Sequence, residues 1–214
     1  MRAAKGSFSR VPPSSGGLPN PRNGLLTVSA NVASDEGVQQ VIARTVEAFG
    51  GIDILVQQRG LGRGATITDM SDADWQEAID QTSFPAIRAS RLAVPYMRRR
   101  GGGVIIMIAS IWGRESGGRM TYNAVKAAEI SLAKSMAQQL AKDNIRVNSV
   151  APGSISFPGG TWHRRQQEDP NGMAEFVRRN CRSDDLAGQR KLVGLSPFWP
   201  SPRASWISGA SVPV

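Results

Sequence analysis

V-I-I-M-I-A-S-I-W-G-R-E-S-G-G-R-M-T-Y-N-A-V-K, residues 104–126, decides how the rest of the chain is read. Residues 104–109 are a continuous apolar run of strand length, bounded by Gly101, Gly102 and Gly103 before and a polar, glycine-containing stretch after. Such a run reads as a strand with both faces buried. Ser110 closes it, and Tyr122 and Lys126 follow at the start of a helical pattern over 119–141. Four residues apart on a helix, the two share one face, so the ammonium can lie beneath the phenol. A phenol near its ordinary pKa of about 10 shuttles protons poorly at neutral pH, and a neighbouring cation favours the phenolate. Ser110, at the carboxyl end of the strand, can offer its hydroxyl to the same substrate oxygen.

Outward from this stretch the pattern alternates. L-L-T-V-S-A-N-V at 25–32 reads as a buried strand. Ser34, Asp35 and Glu36 then supply the cap and first-turn acids of a helix that Gly50-Gly51 stops. I-D-I-L-V at 52–56 is a second strand, expected to be buried on both faces. Ser71 with Asp74 opens a long helix, interrupted at Pro85 and ending near 98–100. N-I-R-V-N-S-V at 144–150 is a further strand. Strands alternating with helices imply right-handed crossovers and a parallel sheet covered on both sides.

Alone, a Tyr-x-x-x-Lys pair is weak evidence. Here it stands between a strand ending I-A-S-I-W-G and the segment N-I-R-V-N-S-V-A-P-G, and that ordered array resembles the short-chain dehydrogenase/reductase family. The resemblance runs over 25–180 and returns at 201–214. It implies a single-domain α/β fold, a Rossmann-like doubly wound parallel sheet, here incomplete in its N-terminal half. It also implies an NAD(P)-dependent dehydrogenase or reductase that moves hydride between the cofactor and a secondary alcohol or ketone. Tyr122 would exchange the proton, Ser110 would orient the substrate oxygen, and Lys126 would lower the phenol pKa and hold the nicotinamide ribose. Cofactor contacts would come from Lys126, Tyr122, Asn31, Gly60, Pro152 and Gly153, with Asn148 beside the strand-end turn. Trp112, Phe157, Trp162 and His163 are candidate pocket residues. The family further implies a homodimer or homotetramer built on the helices 71–98 and 119–141.

Several departures from the family text stand out. No strand followed by a glycine-rich turn precedes residue 25, and Gly16-Gly17 neither follows a strand nor opens a helix. Asn31 stands where the family places an adenine-contacting acid, 57–60 read Q-Q-R-G where it writes N-N-A-G, and Thr82 replaces a catalytic asparagine. A change of reading frame accounts for these together. Q-Q-R-G written CAA-CAA-CGC-GGG gives N-N-A-G one base later, and Q-T-S-F written CAA-ACC-TCT-TTC contains AAC-CTC-TTT, N-L-F. Residues 181–200 likewise permit a family-like helix in a neighbouring frame, so that stretch is expected to be atypical and to cover its face of the core poorly. The alternative to an active oxidoreductase is therefore a non-catalytic remnant, or a cofactor-free protein that has lost dinucleotide binding.

Composition sets the outer bounds. Two hundred and fourteen residues suit one domain, expected over 25–214 behind an irregular arm at 1–24 rich in Ser, Gly, Pro and Arg. The net charge of +9 divides as +4 over 1–24, +2 over 25–158 and +3 over 159–214, so the best-patterned region is nearly neutral. No nucleic-acid module accompanies the basic ends, and specific nucleic-acid binding is not expected. The lone Cys181 permits neither an internal disulfide nor a metal-ligand cluster, and no metal is expected. No apolar run is long enough to span a bilayer, and no secretory leader is apparent, which points to a cytoplasmic protein.

Overall fold

The computed structural model describes residues 24–64, 66–181, 186–188 and 198–214. In chain order the regular elements are α1 (Asp35–Phe49), β1 (Ile54–Gln57), α2 (Asp72–Ala78), α3 (Phe84–Arg99), β2 (Gly103–Ile108) and α4 (Met120–Leu140). They are followed by β3 (Ile145–Ala151), β4 (Ile155–Ser156), α5 (Thr161–Glu168), α6 (Pro170–Asn180), β5 (Ala187–Gly188) and β6 (Ser211–Pro213).

The helix ends follow local chemistry. Ser34 accepts the Gly37 N–H at the start of α1, and Gly50 ends it in the left-handed region at φ 76°, where a side chain would be strained. Ser71 and Asp74 form the reciprocal capping box expected for α2. Between α2 and α3, residues Ile79–Ser83 adopt a π-helical turn. Pro85 has no N–H to offer the Gln81 carbonyl one turn back, and the Arg59 Nε–H donates to that carbonyl instead, at 3.2 Å. The interruption expected at Pro85 is thus a local change of winding, placed just before the proline.

β1, β2, β3 and β6 form one parallel sheet in that order, with Ile105 paired to Leu55 on one side and Val147 on the other. Along β2 the side chains alternate. Ile105 and Met107 face Val38 and Ile42 of α1, Val94 and Met97 of α3, and Ala133 and Ala137 of α4. Val104 and Ile106 face Trp199, Phe198, Ile207 and Val212 on the opposite side. The fold is a single Rossmann-like α/β domain, as expected. A second, two-stranded sheet pairs β4 with β5.

The expected strand at 25–32 does not form. Leu26 is buried and Val32 packs against the main core, but residues 25–31 enter no sheet ladder. Among the described residues no strand lies on the outer edge of β1 to carry this segment into the sheet, and the edge stays unpaired. β1 is also only partly covered, Val56 being 36% exposed, where burial on both faces was expected. The arm expected over 1–24 lies outside the described residues except for Gly24. Of the atypical stretch 181–200, residues 182–185 and 189–197 also lie outside them. Its described end does cover the core: Trp199 is 4% exposed and packs on Val104, Ile106 and Val150, contrary to the poor coverage expected there.

Candidate active site

Ser110 sits just beyond β2 and caps a short 3₁₀ turn, Ile111–Gly113, its Oγ accepting the Trp112 N–H at 3.2 Å. Two backbone bonds fix this corner. The Ile111 N–H donates to the Pro152 carbonyl at 3.1 Å, and the Gly153 N–H donates to the Val214 carbonyl at 2.9 Å. Gly113 lets the turn rest directly on α4, since a Cβ there would stand 2.6 Å from the Lys126 carbonyl carbon. That contact brings Ser110 to the first turns of α4, where its hydroxyl lies near enough to the Tyr122 phenol to pull its pKa down.

The loop after β1 closes over the same turns of α4. A Cβ on Gly60 would lie 2.8 Å from Tyr122 Cε2 and 3.3 Å from Lys126 Cε, so only glycine allows this approach. Thr121, fully buried, accepts the Arg63 N–H at 3.0 Å and donates to the Arg63 carbonyl at 3.1 Å. Thr82, also fully buried, accepts the Leu61 N–H at 3.2 Å from the π-helical turn. Where the family asparagine was expected, the chain has a hydroxyl that anchors this loop.

Lys126 is 1% exposed, and its ammonium is fully engaged. It donates to the Ile108 carbonyl at 2.7 Å, to the Arg59 carbonyl, and to Glu129 Oε2 at 2.8 Å. Burial drives this pair toward neutral forms: it holds the Lys126 ammonium below the usual lysine value, against the pull of Glu129. The Glu129 carboxyl is pushed up to about 7 by the same burial, with Lys126 opposing. Tyr122 departs from the sequence-based expectation. Its phenol is raised above the ordinary value, chiefly by burial and further by the Glu129 charge, while the Ser110 hydroxyl pulls it down. Lys126 was expected to lower it, but the ammonium is turned to Glu129 and lies 5.8 Å from the Tyr122 ring centre.

The other candidates divide. Gly60, Pro152 and Gly153 border the Ser110–Tyr122–Lys126 group through the contacts above. Asn31 does not join it by any of its recorded contacts: it is exposed in the turn entering α1, its carbonyl accepting the Ser34 N–H and its side chain accepting the Ala33 N–H. Asn148 is fully buried and structural, its amide donating to the Ile207 carbonyl at 2.8 Å and accepting the Ala210 N–H at 3.0 Å. Trp112 packs under Gly117 and Gly118, beside Ser110. Trp162 stacks on Phe176 at 4.8 Å, His163 accepts the Gly159 N–H, and Phe157 is 41% exposed against Gly160. Trp162 thus joins α5 to α6, while His163 and Phe157 brace the turn that opens α5. Sequence reasoning passed over Glu129, although an acid three residues after Lys126 falls on the buried stripe of α4 with Val125, Ala133 and Ala137.

For a nicotinamide dinucleotide the two ends of the site differ. At the nicotinamide end, Tyr122, Lys126 and the 152–153 turn border the same edge, but the Lys126 ammonium is engaged on Ile108, Arg59 and Glu129 and the Gly153 N–H on Val214. At the other end, α1 opens with Asp35 and Glu36 in its first turn and the Ser34 side chain on its cap, so its N-terminus does not suit a phosphate. Among the described residues no glycine-rich turn opens a helix, and no cluster of His, Cys, Asp and Glu could hold a metal. No described helix is long and apolar enough to cross a membrane.

Comparison with known proteins agrees with this geometry. The short chain dehydrogenase family pattern matches residues 18–169. The human dehydrogenase/reductase SDR family member 4 is 33% identical over 189 residues, 86% of this chain and 66% of its own length. The 3-oxoacyl-[acyl-carrier-protein] reductase FabG of Thermotoga maritima is 35% identical over 129 residues, 60% of this chain and 52% of its own. The chain therefore spans less than two thirds of either relative. In structure it is similar to L-sorbose reductase of Gluconobacter frateurii, complexed with NADPH and L-sorbose. That likeness has a TM-score of 0.80 and 34% identity, and covers 88% of this chain and 74% of that one. With its family pattern, sheet order and helix-borne Tyr122–Lys126 pair in agreement, the chain belongs to the short chain dehydrogenase family.

Proposed function

We propose that the chain is an NAD(P)-dependent oxidoreductase of a small alcohol or ketone, with Tyr122 as the proton-transferring group. The observation that carries this reading is the convergence of Ser110, from the end of β2, on Tyr122 of α4, with Lys126 one helical turn away. Bound at this edge, a nicotinamide would supply or accept the hydride. A phenol raised above its ordinary value stays protonated at neutral pH, the form that donates to a carbonyl oxygen, so the site suits reduction there. Ser110 orients that oxygen. Lys126 and Tyr122 would hold the nicotinamide ribose, with Pro152 and Gly153 beside the ring. The domain is read as 25–214, and a homodimer or homotetramer is expected to form through the helices 71–98 and 119–141, that is α2, α3 and α4.

The test is calorimetric titration with NADPH and NADH, followed by ketone reduction read from NAD(P)H absorbance. Tyr122→Phe should reduce turnover by at least about 100-fold while lowering cofactor affinity far less, since Lys126 and the 152–153 turn remain. Unchanged turnover in the variant would refute Tyr122 as the acid. A second reading, a family member that has lost dinucleotide binding, draws on the absence, among the described residues, of a glycine-rich turn opening a helix, and on the fully engaged Lys126. A folded chain that binds neither nucleotide supports it.

A further inference from the structure

The buried acid of α4 has no part in the proton transfer just described, yet it touches the residue on which that transfer depends. Glu129 lies three residues beyond Lys126, is 4% exposed, and holds the ammonium at 2.8 Å. An ammonium has three N–H donors, and here all three are used: on the Arg59 carbonyl, the Ile108 carbonyl and Glu129. The carbonyls belong to the loop backbone and to β2, and neither can be withdrawn without moving the chain. The carboxylate is the exchangeable partner. We propose that Glu129 is a positioning residue that draws the Lys126 ammonium along α4 away from the Tyr122 phenol and competes with a ligand hydroxyl for its third N–H.

The titratable groups bearing on this carboxylate are Lys126 and Tyr122, both on α4, and the covering loop contributes the Arg59 carbonyl. The Glu129 charge also opposes ionisation of the phenol, the opposite of what a free Lys126 would do. Removing that charge therefore acts twice on Tyr122: it ends a repulsion and loosens the hold that draws the Lys126 ammonium away from the phenol. This deepens the proton-transfer reading of Tyr122 and rests on it.

The chain has only two tyrosines, Tyr96 and Tyr122, so in a Tyr96→Phe background tyrosinate absorbance reports Tyr122 alone. There, Glu129→Gln should lower the pH at which Tyr122 ionises by on the order of one pH unit. It should also tighten NADPH binding several-fold, read by nucleotide fluorescence. Glu129→Leu, which removes the acceptor altogether, carries the same expectations should the glutamine variant not fold. A phenol midpoint unmoved in a folded variant overturns the proposal. So does wild-type NADPH affinity in a variant whose phenol has moved. Failure of every protein to bind NADPH would sink the cofactor reading alone, because the phenol titration needs no nucleotide; a shifted midpoint would still support the positioning role.

Discussion

At the scale of single residues, the site is governed by burial more than by charge pairing. Tyr122, Lys126 and Glu129 share one buried face of α4, and each is shifted toward its neutral form. Glu129 has a consequence for stability. Its folded carboxyl is raised to about 7 from an ordinary 4.5, so the native protein keeps a proton that the unfolded chain has already released. Its contribution is fully present below the unfolded value and is lost as pH rises through the folded one. Relative to the wild type, Glu129→Gln should therefore gain stability between about pH 4.5 and pH 7, by up to roughly 3 kcal/mol. Urea unfolding of both proteins at the two ends of that window checks this, and a difference independent of pH would contradict it.

At the scale of elements, the decisive feature is the loop after β1, held between two helices by hydroxyls. Thr82 on the π-helical turn and Thr121 at the start of α4 hold its backbone through Leu61 and Arg63. Thr82→Val keeps the shape but leaves the Leu61 N–H without its partner, which should cost about 1–3 kcal/mol. Because Gly60 lies against Tyr122 and Lys126, the same change should raise hydrogen exchange at 60–63 more than in α4. Uniform exchange across both segments would show that the loop does not depend on this bond. The Pro85 signal was legible in the sequence, but the π-helical winding was not. It depends on Arg59, brought from a distant loop to the carbonyl that the proline leaves free.

At the scale of the whole molecule, four parallel strands in the order β1-β2-β3-β6 carry helices on one face and the 198–214 segment on the other. The exposed outer side of β1 and the unformed strand at 25–32 are two views of one missing pairing among the described residues. Ile87 on α3 is 38% exposed. Size-exclusion chromatography with light scattering should give a dimer or tetramer, and a stable monomer would remove the expected assembly. The reading-frame account of Q-Q-R-G and Q-T-S-F has its own check, because codons in the coding DNA that do not permit N-N-A-G and N-L-F in neighbouring frames would end it.

The sequence by itself determined the helix ends at Ser34, Gly50 and Ser71, the β2 and β3 strands, and the nearness of Tyr122 to Lys126, because caps, apolar runs and helical spacing act over a few residues. Tertiary structure alone decided that 25–32 would not be a strand, that Asn148 would brace the 207–210 segment, and that Lys126 would turn to Glu129. Those outcomes depend on what lies across space: a strand forms only where a flanking strand is in place to take up its backbone, and a buried ammonium takes whatever acceptors the surrounding chain presents.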